Sequence, residues 1–310
     1  MPPRDFDAIK FLGTLGWLPT KERLALRHLH IACSQGLAAA RQRRLTEAAA
    51  HYAQAEAQLG GLEAGTRLAW LLGVSTYEAG VAYLHFQYDS GERAVAGLER
   101  SMDADLELEG LGLPIMLLHR IQQGHNLARM DFRSRRRDGA LGLTGLLLGY
   151  MERHIDGLPY HLDWPRDPSR AVPRELLQQM MQQILGEAAG FILTGDDPVA
   201  EWRKLLAGSR LSREPARALF PQLQYALSAQ ANSLAEDSEG YLWDLERFFR
   251  LGIRGCPSLW YMLLVELVSF CRRLDTVRSR QVESLILHDS PKWSGFPSFL
   301  RGCLHGFSPA

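Results

Sequence analysis

Three glycines at one fixed interval constrain this chain more than any other feature. Gly36, Gly80 and Gly124 stand 44 residues apart, each inside a segment that otherwise reads as helix. The surrounding sequence is rich in Ala, Leu, Glu, Gln and Arg, the strong helix formers. Alternating runs of β-branched residues are nearly absent, so the expected class is all-α. A glycine inside a helix costs about 1 kcal/mol against alanine. Close approach of a second helix is the usual offset. Small or apolar residues follow each glycine: Leu37 to Ala40, Val81 to Leu84, and Leu127-Ala128. A fixed period of roughly 20–50 residues is the signature of stacked helical units.

Helices are expected over 21–43, 46–59, 66–88, from Asp89 or Ser90 to 109, 114–132 and 138–154, which pair into three hairpins. Gly60-Gly61 stops the second, and Pro114 suits the first turn of the fifth. Residues 155–173 hold Pro159, Pro165, Pro168 and Pro173, which no continuous helix accommodates. The expected organisation is therefore hairpins over 1–154, a Pro-rich linker or packed loop over 155–173, and a second helical domain over 174–310. That second part reads as helices over 175–193, from Asp197-Pro198 onward, and over 213–235, 237–251, 258–274 and 276–288. The segment 258–274 is apolar nearly all round, as a central helix is. The aromatic tail 291–310 is expected to pack back.

Gly36, Ala48, Tyr52 and Ala55 fall at the spacing of a tetratricopeptide repeat, so the first hairpin resembles that family. The second hairpin fits through Gly80 and Ala94. The third fits with helices about a turn longer. The family's tryptophan and proline positions do not match, and the resemblance spans residues 25–152. It implies a solenoid in which the first helix of each unit lines an inner groove. Counted from the glycines, the groove positions are His30, Cys33, Leu37 and Ala40, then Val74, Tyr77, Val81 and Leu84, then Leu118, Ile121, His125 and Ala128. Such a surface suits a hydrophobic peptide or an amphipathic helix. The alternative is that the second half of the chain fills it.

Thirty-five basic residues balance thirty-five acidic ones, which gives no global attraction to nucleic acid or an anionic membrane. Arginine outnumbers lysine heavily, a usage typical of GC-rich bacterial genomes. Four dispersed cysteines make no disulfide framework. The N-terminus lacks the basic start and apolar run of a signal peptide. The most apolar stretch, 259–270, includes Glu266 and is far short of the ~20 residues of a membrane helix. A cytoplasmic protein is expected.

Chemistry-bearing motifs are sparse. Asp196, Asp197 and Glu201 read D-D-x-x-x-E, which would suit magnesium and a diphosphate. The partner motif of such enzymes is missing, because Glu236 follows Asn232 at i+4. Asp197 before Pro198 also reads as a helix N-cap. The histidines form no metal-binding pair, and the run Arg133, Arg135, Arg136 and Arg137 falls in a loop. Gly139, Gly142, Gly145 and Gly149 make a smooth stripe suited to close packing. No phosphate-binding glycine loop or serine-nucleophile motif occurs, and no cofactor is expected. The leading expectation is a non-catalytic protein- or peptide-binding scaffold. The alternative is an all-α enzyme of specialised metabolism, with Asp196, Asp197, Trp202, Asn232 and Glu236 in its site.

Overall fold

A computed structural model describes residues 15–153, 155–158, 163–209, 220–274 and 276–289. The expected tail packing, along with His154, His161 and His305, lies outside the described residues. Within them the chain forms thirteen α-helices and no strand. They are α1 Thr20–Arg41, α2 Leu45–Gly60, α3 Arg67–Gln87, α4 Gly91–Gly110, α5 Met116–Arg133, α6 Arg137–Met151, α7 Pro168–Ala171, α8 Arg174–Ile192, α9 Pro198–Ser209, α10 Pro221–Leu234, α11 Ser238–Arg250, α12 Pro257–Leu274 and α13 Thr276–Asp289. No helix among the described residues is long and apolar enough to cross a membrane.

The hairpin turns share one geometry. Arg43, Asp89 and Arg135 each adopt φ near +59° just after a helix ends. The residue after each donates its N–H back to Ala39, His85 or Asp131, closing a Schellman-type cap. The next helix starts at once, its first amide bonds coming from Ala48, Ala94 and Ala140. All three alanines are fully buried, because a larger side chain there would hold the paired helices apart. A left-handed conformation at a residue with a Cβ costs roughly 1–2 kcal/mol. Regaining otherwise orphaned backbone carbonyls at the helix end offsets it. The same turn recurs at Glu236 between α10 and α11, with Tyr241 in the alanine's place.

These turns repeat every 46 residues, which corrects the spacing drawn from the glycines. Gly36 lies seven residues before its turn and Gly80 nine, so the two do not hold equivalent places. They meet at one side chain instead. A Cβ on Gly36 would lie 2.9 Å from Cε2 of Tyr52, and one on Gly80 would lie 2.9 Å from Cε1 of the same ring. The ring of α2 is thus held between α1 and α3, and burial pushes its phenol pKa up. A second link joins the same helices: Glu22 accepts from the Thr66 amide at 3.0 Å and from its hydroxyl at 2.6 Å.

The chain divides into two compact units, residues 1–143 with 155–180, and residues 144–154 with 181–310. In the first, α1 packs on α2 and α3, α3 on α4, and α4 on α5. In the second, α12 is deeply buried, with Leu259 and Tyr261 to Glu266 all inside. One member of the glycine stripe of α6 packs closely on a neighbouring helix. Gly145 lies against the backbone of Leu205, Gly208 and Ser209 in α9, while Gly142 faces open space.

Gly80→Ala gains about 1 kcal/mol of helix propensity but pushes a methyl into the Tyr52 ring. Its net effect should be a loss of roughly 1–2 kcal/mol. In a Tyr52→Leu background the same change should be neutral or stabilising. Urea unfolding of the double-mutant cycle measures the difference.

Candidate functional site

The 46-residue interval moves the expected groove positions by two residues in the second hairpin and by four in the third. Counted from the glycines, Leu118, Ile121 and His125 are fully buried and Val81 and Leu84 nearly so. Those residues present no open surface. Tyr77 and Val74 are half-buried. Counted from the turns, the residues matching His30 and Leu37 are Thr76 and Tyr83 in α3, then Gln122 and Arg129 in α5. All six are partly exposed. Cys33 is buried in α1, whereas its counterpart Ala79 is half-exposed and its next counterpart, His125, is buried. The partly exposed side chains here include Leu37, Tyr83, Phe86, Gln122, Asn126 and Arg129, with Tyr83 and Phe86 also packed against the core beneath. Arg133 lies 5.8 Å over the Tyr83 ring, so α3 and α5 share this face.

Beneath it runs a polar network that the sequence did not reveal. Ser75 of α3, Asp105 of α4 and His119 of α5 are all buried. The Ser75 hydroxyl donates to Asp105 Oδ1 at 2.5 Å, and His119 Nδ1 lies 2.6 Å from Asp105 Oδ2. Gln123 Nε2 stands 2.8 Å from His119 Nε2. Asn126 then donates to Gln123, and Arg129 donates to Asn126. An imidazole protonated at Nδ1 satisfies all of these contacts. The three residue types are those of a hydrolytic triad, but the arrangement is not. Serine and aspartate both meet Nδ1, and Nε2 is occupied by the amide of Gln123. A serine nucleophile needs its base on the nitrogen opposite the aspartate. The network instead ties three helices together and carries a hydrogen-bonded chain out to Arg129.

Arg120, one residue along α5, has no exposed surface. Its guanidinium donates to both oxygens of Glu109, at 2.6 and 2.9 Å, and to the backbone carbonyl of Asp163 at 2.9 Å. Its carbon centre lies 4.3 Å from the Trp164 ring. Burial raises the Glu109 pKa, and the Arg120 hydrogen bond and charge oppose that rise. Residues 163–164 of the proline-rich segment are therefore held on α5 as part of the first unit.

In the second unit the acidic motif is not brought together as a ligand set. Asp197 Oδ1 accepts from the Ala200 amide at 3.0 Å, the bond of an N-cap. Asp196 is exposed and Glu201 half-exposed. Among the described residues no group of three His, Cys, Asp or Glu side chains could hold a metal. Asn232 donates to Asp244 at 2.9 Å, and Glu236 occupies the left-handed turn. Trp202 is fully buried. The notable acid here is Glu266 of α12, only 1 % exposed. Gln230 donates to one of its oxygens, and the Trp202 indole lies close enough to the carboxyl to favour its charged form. Burial pushes its pKa up to about 7, against the opposing pull of Gln230, Arg203 and Arg273. Tyr241, whose phenol Glu266 pushes further up, lacks a hydrogen-bond partner. A lone acid in an apolar helix was the available signal for this group.

In comparisons with known proteins the chain matches no family model, no curated protein and no solved structure.

Arg120→Met should cost roughly 3–5 kcal/mol, because it leaves the Glu109 carboxylate half-buried and unpaired. Replacing Glu109 by Leu in the same chain should recover most of the loss in urea unfolding. Glu266 makes stability depend on pH. Its carboxyl stays protonated in the fold up to about pH 7, whereas an unfolded chain releases that proton near pH 4.3. The folded state thus binds more protons in between, and stability falls as pH rises through that window. That contribution is fully present below pH 4.3 and is lost above pH 7. Glu266→Gln should flatten the decline in Tm between pH 5 and pH 8, measured beside the unsubstituted chain.

Proposed function

We propose that this protein is a non-catalytic binding scaffold of the bacterial cytoplasm, a tetratricopeptide-like stack of helical hairpins that holds a protein segment or peptide. One observation carries this reading. The same left-handed cap, followed by the same buried alanine, closes three successive hairpins at a constant 46-residue interval. Units equivalent in this way present equivalent faces, and stacking turns those faces into one extended surface. The surface offered is aromatic at Tyr83 and Phe86, aliphatic at Leu37, and hydrogen-bonding at Gln122, Asn126 and Arg129. That mixture suits an amphipathic helix whose apolar side contacts the rings and whose polar side meets the amides and the guanidinium. The rigid network beneath, from Ser75 to Gln123, fixes α3 and α5 relative to one another. A preorganised surface lowers the ordering cost of binding.

The experiment is a selection of displayed random peptides on the purified chain, followed by calorimetry. The expected result is an enriched family of amphipathic peptides binding with Kd on the order of micromolar. Tyr83→Ala and Phe86→Ala should each weaken that binding about tenfold or more, as loss of an aromatic anchor does, with helicity unchanged. A selection that enriches nothing, or peptides indifferent to both substitutions, would sink the reading.

A further inference from the structure

The three hairpin turns close at one end of the first unit, and arginine gathers there. Arg41, Arg43 and Arg44 are exposed at the first turn, and Arg133, Arg135 and Arg136 at the third. Helix α3 packs beside α1 and is bonded to α5, so the second turn lies between these two. It presents Tyr88, 52 % exposed, with Arg93 exposed in the helix that follows. Acids neutralise part of the edge. Arg44 pairs with Glu47, and Arg136 with Asp131. Among the described residues Arg41, Arg43, Arg93 and Arg135 make no ion pair, and Arg133 rests over the Tyr83 ring. The acids left without a cation, Asp89 and Glu92, both stand at the middle turn.

Stability does not account for the two outer turn residues. Arg43 and Arg135 hold φ near +59°, where glycine would sit without strain. The helix cap explains that conformation and not the choice of arginine. A cation at a helix C-terminus gains from the macrodipole, but Arg41 and Arg133 already supply it from the last helical turns. The charge on Arg43 and Arg135 therefore serves something outside the chain.

We propose that this edge binds single-stranded nucleic acid, with phosphates on the outer turns and an unpaired base on Tyr88. A guanidinium offers paired donors to phosphate oxygens. An exposed aromatic ring offers a face on which any base stacks. Asp89 and Glu92 repel phosphate from the middle turn, so the strand turns a base toward it. Two helix spacings of about 8–10 Å put the outer turns about 16–20 Å apart, the length of about five nucleotides at a stacked rise of ~3.4 Å. An acidic protein segment would meet the arginines and leave the Tyr88 ring unused. The inference rests on the placement of the turns and not on the peptide-holding reading.

Fluorescence anisotropy of the full-length chain tests this, with a fluorescein-labelled single strand of about 12 nucleotides, as RNA and as DNA, in about 50 mM salt. At least one strand should bind with Kd on the order of 10 μM, and its affinity should fall with salt on a log–log slope of about −3. Tyr88→Ala should weaken binding about tenfold. Arg43→Gly and Arg135→Gly should each weaken it severalfold and make the slope shallower by about 0.7. Their Tm should be unchanged or raised, because glycine relieves the strain at both turns. A duplex of the same sequence should bind more weakly than the single strand. Absence of saturable binding by both strands would overturn the proposal, as would a duplex that binds equally well with Tyr88→Ala without effect. A polyglutamate peptide of the same length that binds as tightly as the oligonucleotide would overturn it in favour of an acidic protein segment.

Discussion

Everything in the first unit depends on one local compromise: a residue with a Cβ held at positive φ so that one helix ends and the next begins within three residues. Arg43, Asp89 and Arg135 accept that strain because the cap it closes satisfies carbonyls that would otherwise have no partner. Reversal this abrupt brings two helices together from their first turn. The first inward residue of the second helix must then be small, and Ala48, Ala94 and Ala140 are fully buried there. The interval between turns sets the interval between faces. Local backbone geometry thereby fixes which side chains of α1, α3 and α5 come to lie side by side.

Most of the fold was legible in the sequence. Helix boundaries read from propensity and breakers agree with the structure to within a few residues, apart from the helix expected over 213–235, which is described only over Pro221–Leu234. The apolar helix that became α12 is deeply buried. The interval between the hairpin turns was legible only approximately. Glycine is the residue sequence reading associates with left-handed turns, and here arginine and aspartate occupy them. The glycines that drew attention serve a different purpose, two of them clearing space on opposite sides of the Tyr52 ring. An error of two residues in the interval is more than half a helical turn. In the second hairpin it turns the expected positions Val81 and Leu84 to the buried side of α3, whereas in the third the offset of four residues is close to a full turn, and Leu118 and Ile121 are buried because α5 is packed in the core on that side.

The polar interior was far less legible, for a physical reason. Ser75, Asp105 and His119 belong to three helices, and no short-range spacing relates them. Arg120 and Glu109 flank a loop, and nothing in their sequence marks them as a bidentate pair with an indole beneath. Sequence patterns report which side of a helix is apolar. They do not report which polar side chains inside that apolar side find one another, because that depends on how neighbouring helices are rotated. Asp197 was the readable exception, since an N-cap is a contact within three residues.

Both units bury polar groups. In the first, Asp105 meets His119 and Glu109 meets Arg120, while the Tyr52 phenol has no hydrogen-bond partner. Networks satisfied in this way hold helices in a single arrangement. In the second, the phenol of Tyr241 lacks a partner, and Glu266 is buried where desolvation outweighs its polar neighbours. Polar atoms left this way cost stability, and protonation of Glu266 removes the largest part of that cost, its buried charge. A binding surface benefits from the first condition, since rigid helices present a preorganised face. The second unit carries a helix whose packing energy changes with pH near neutrality.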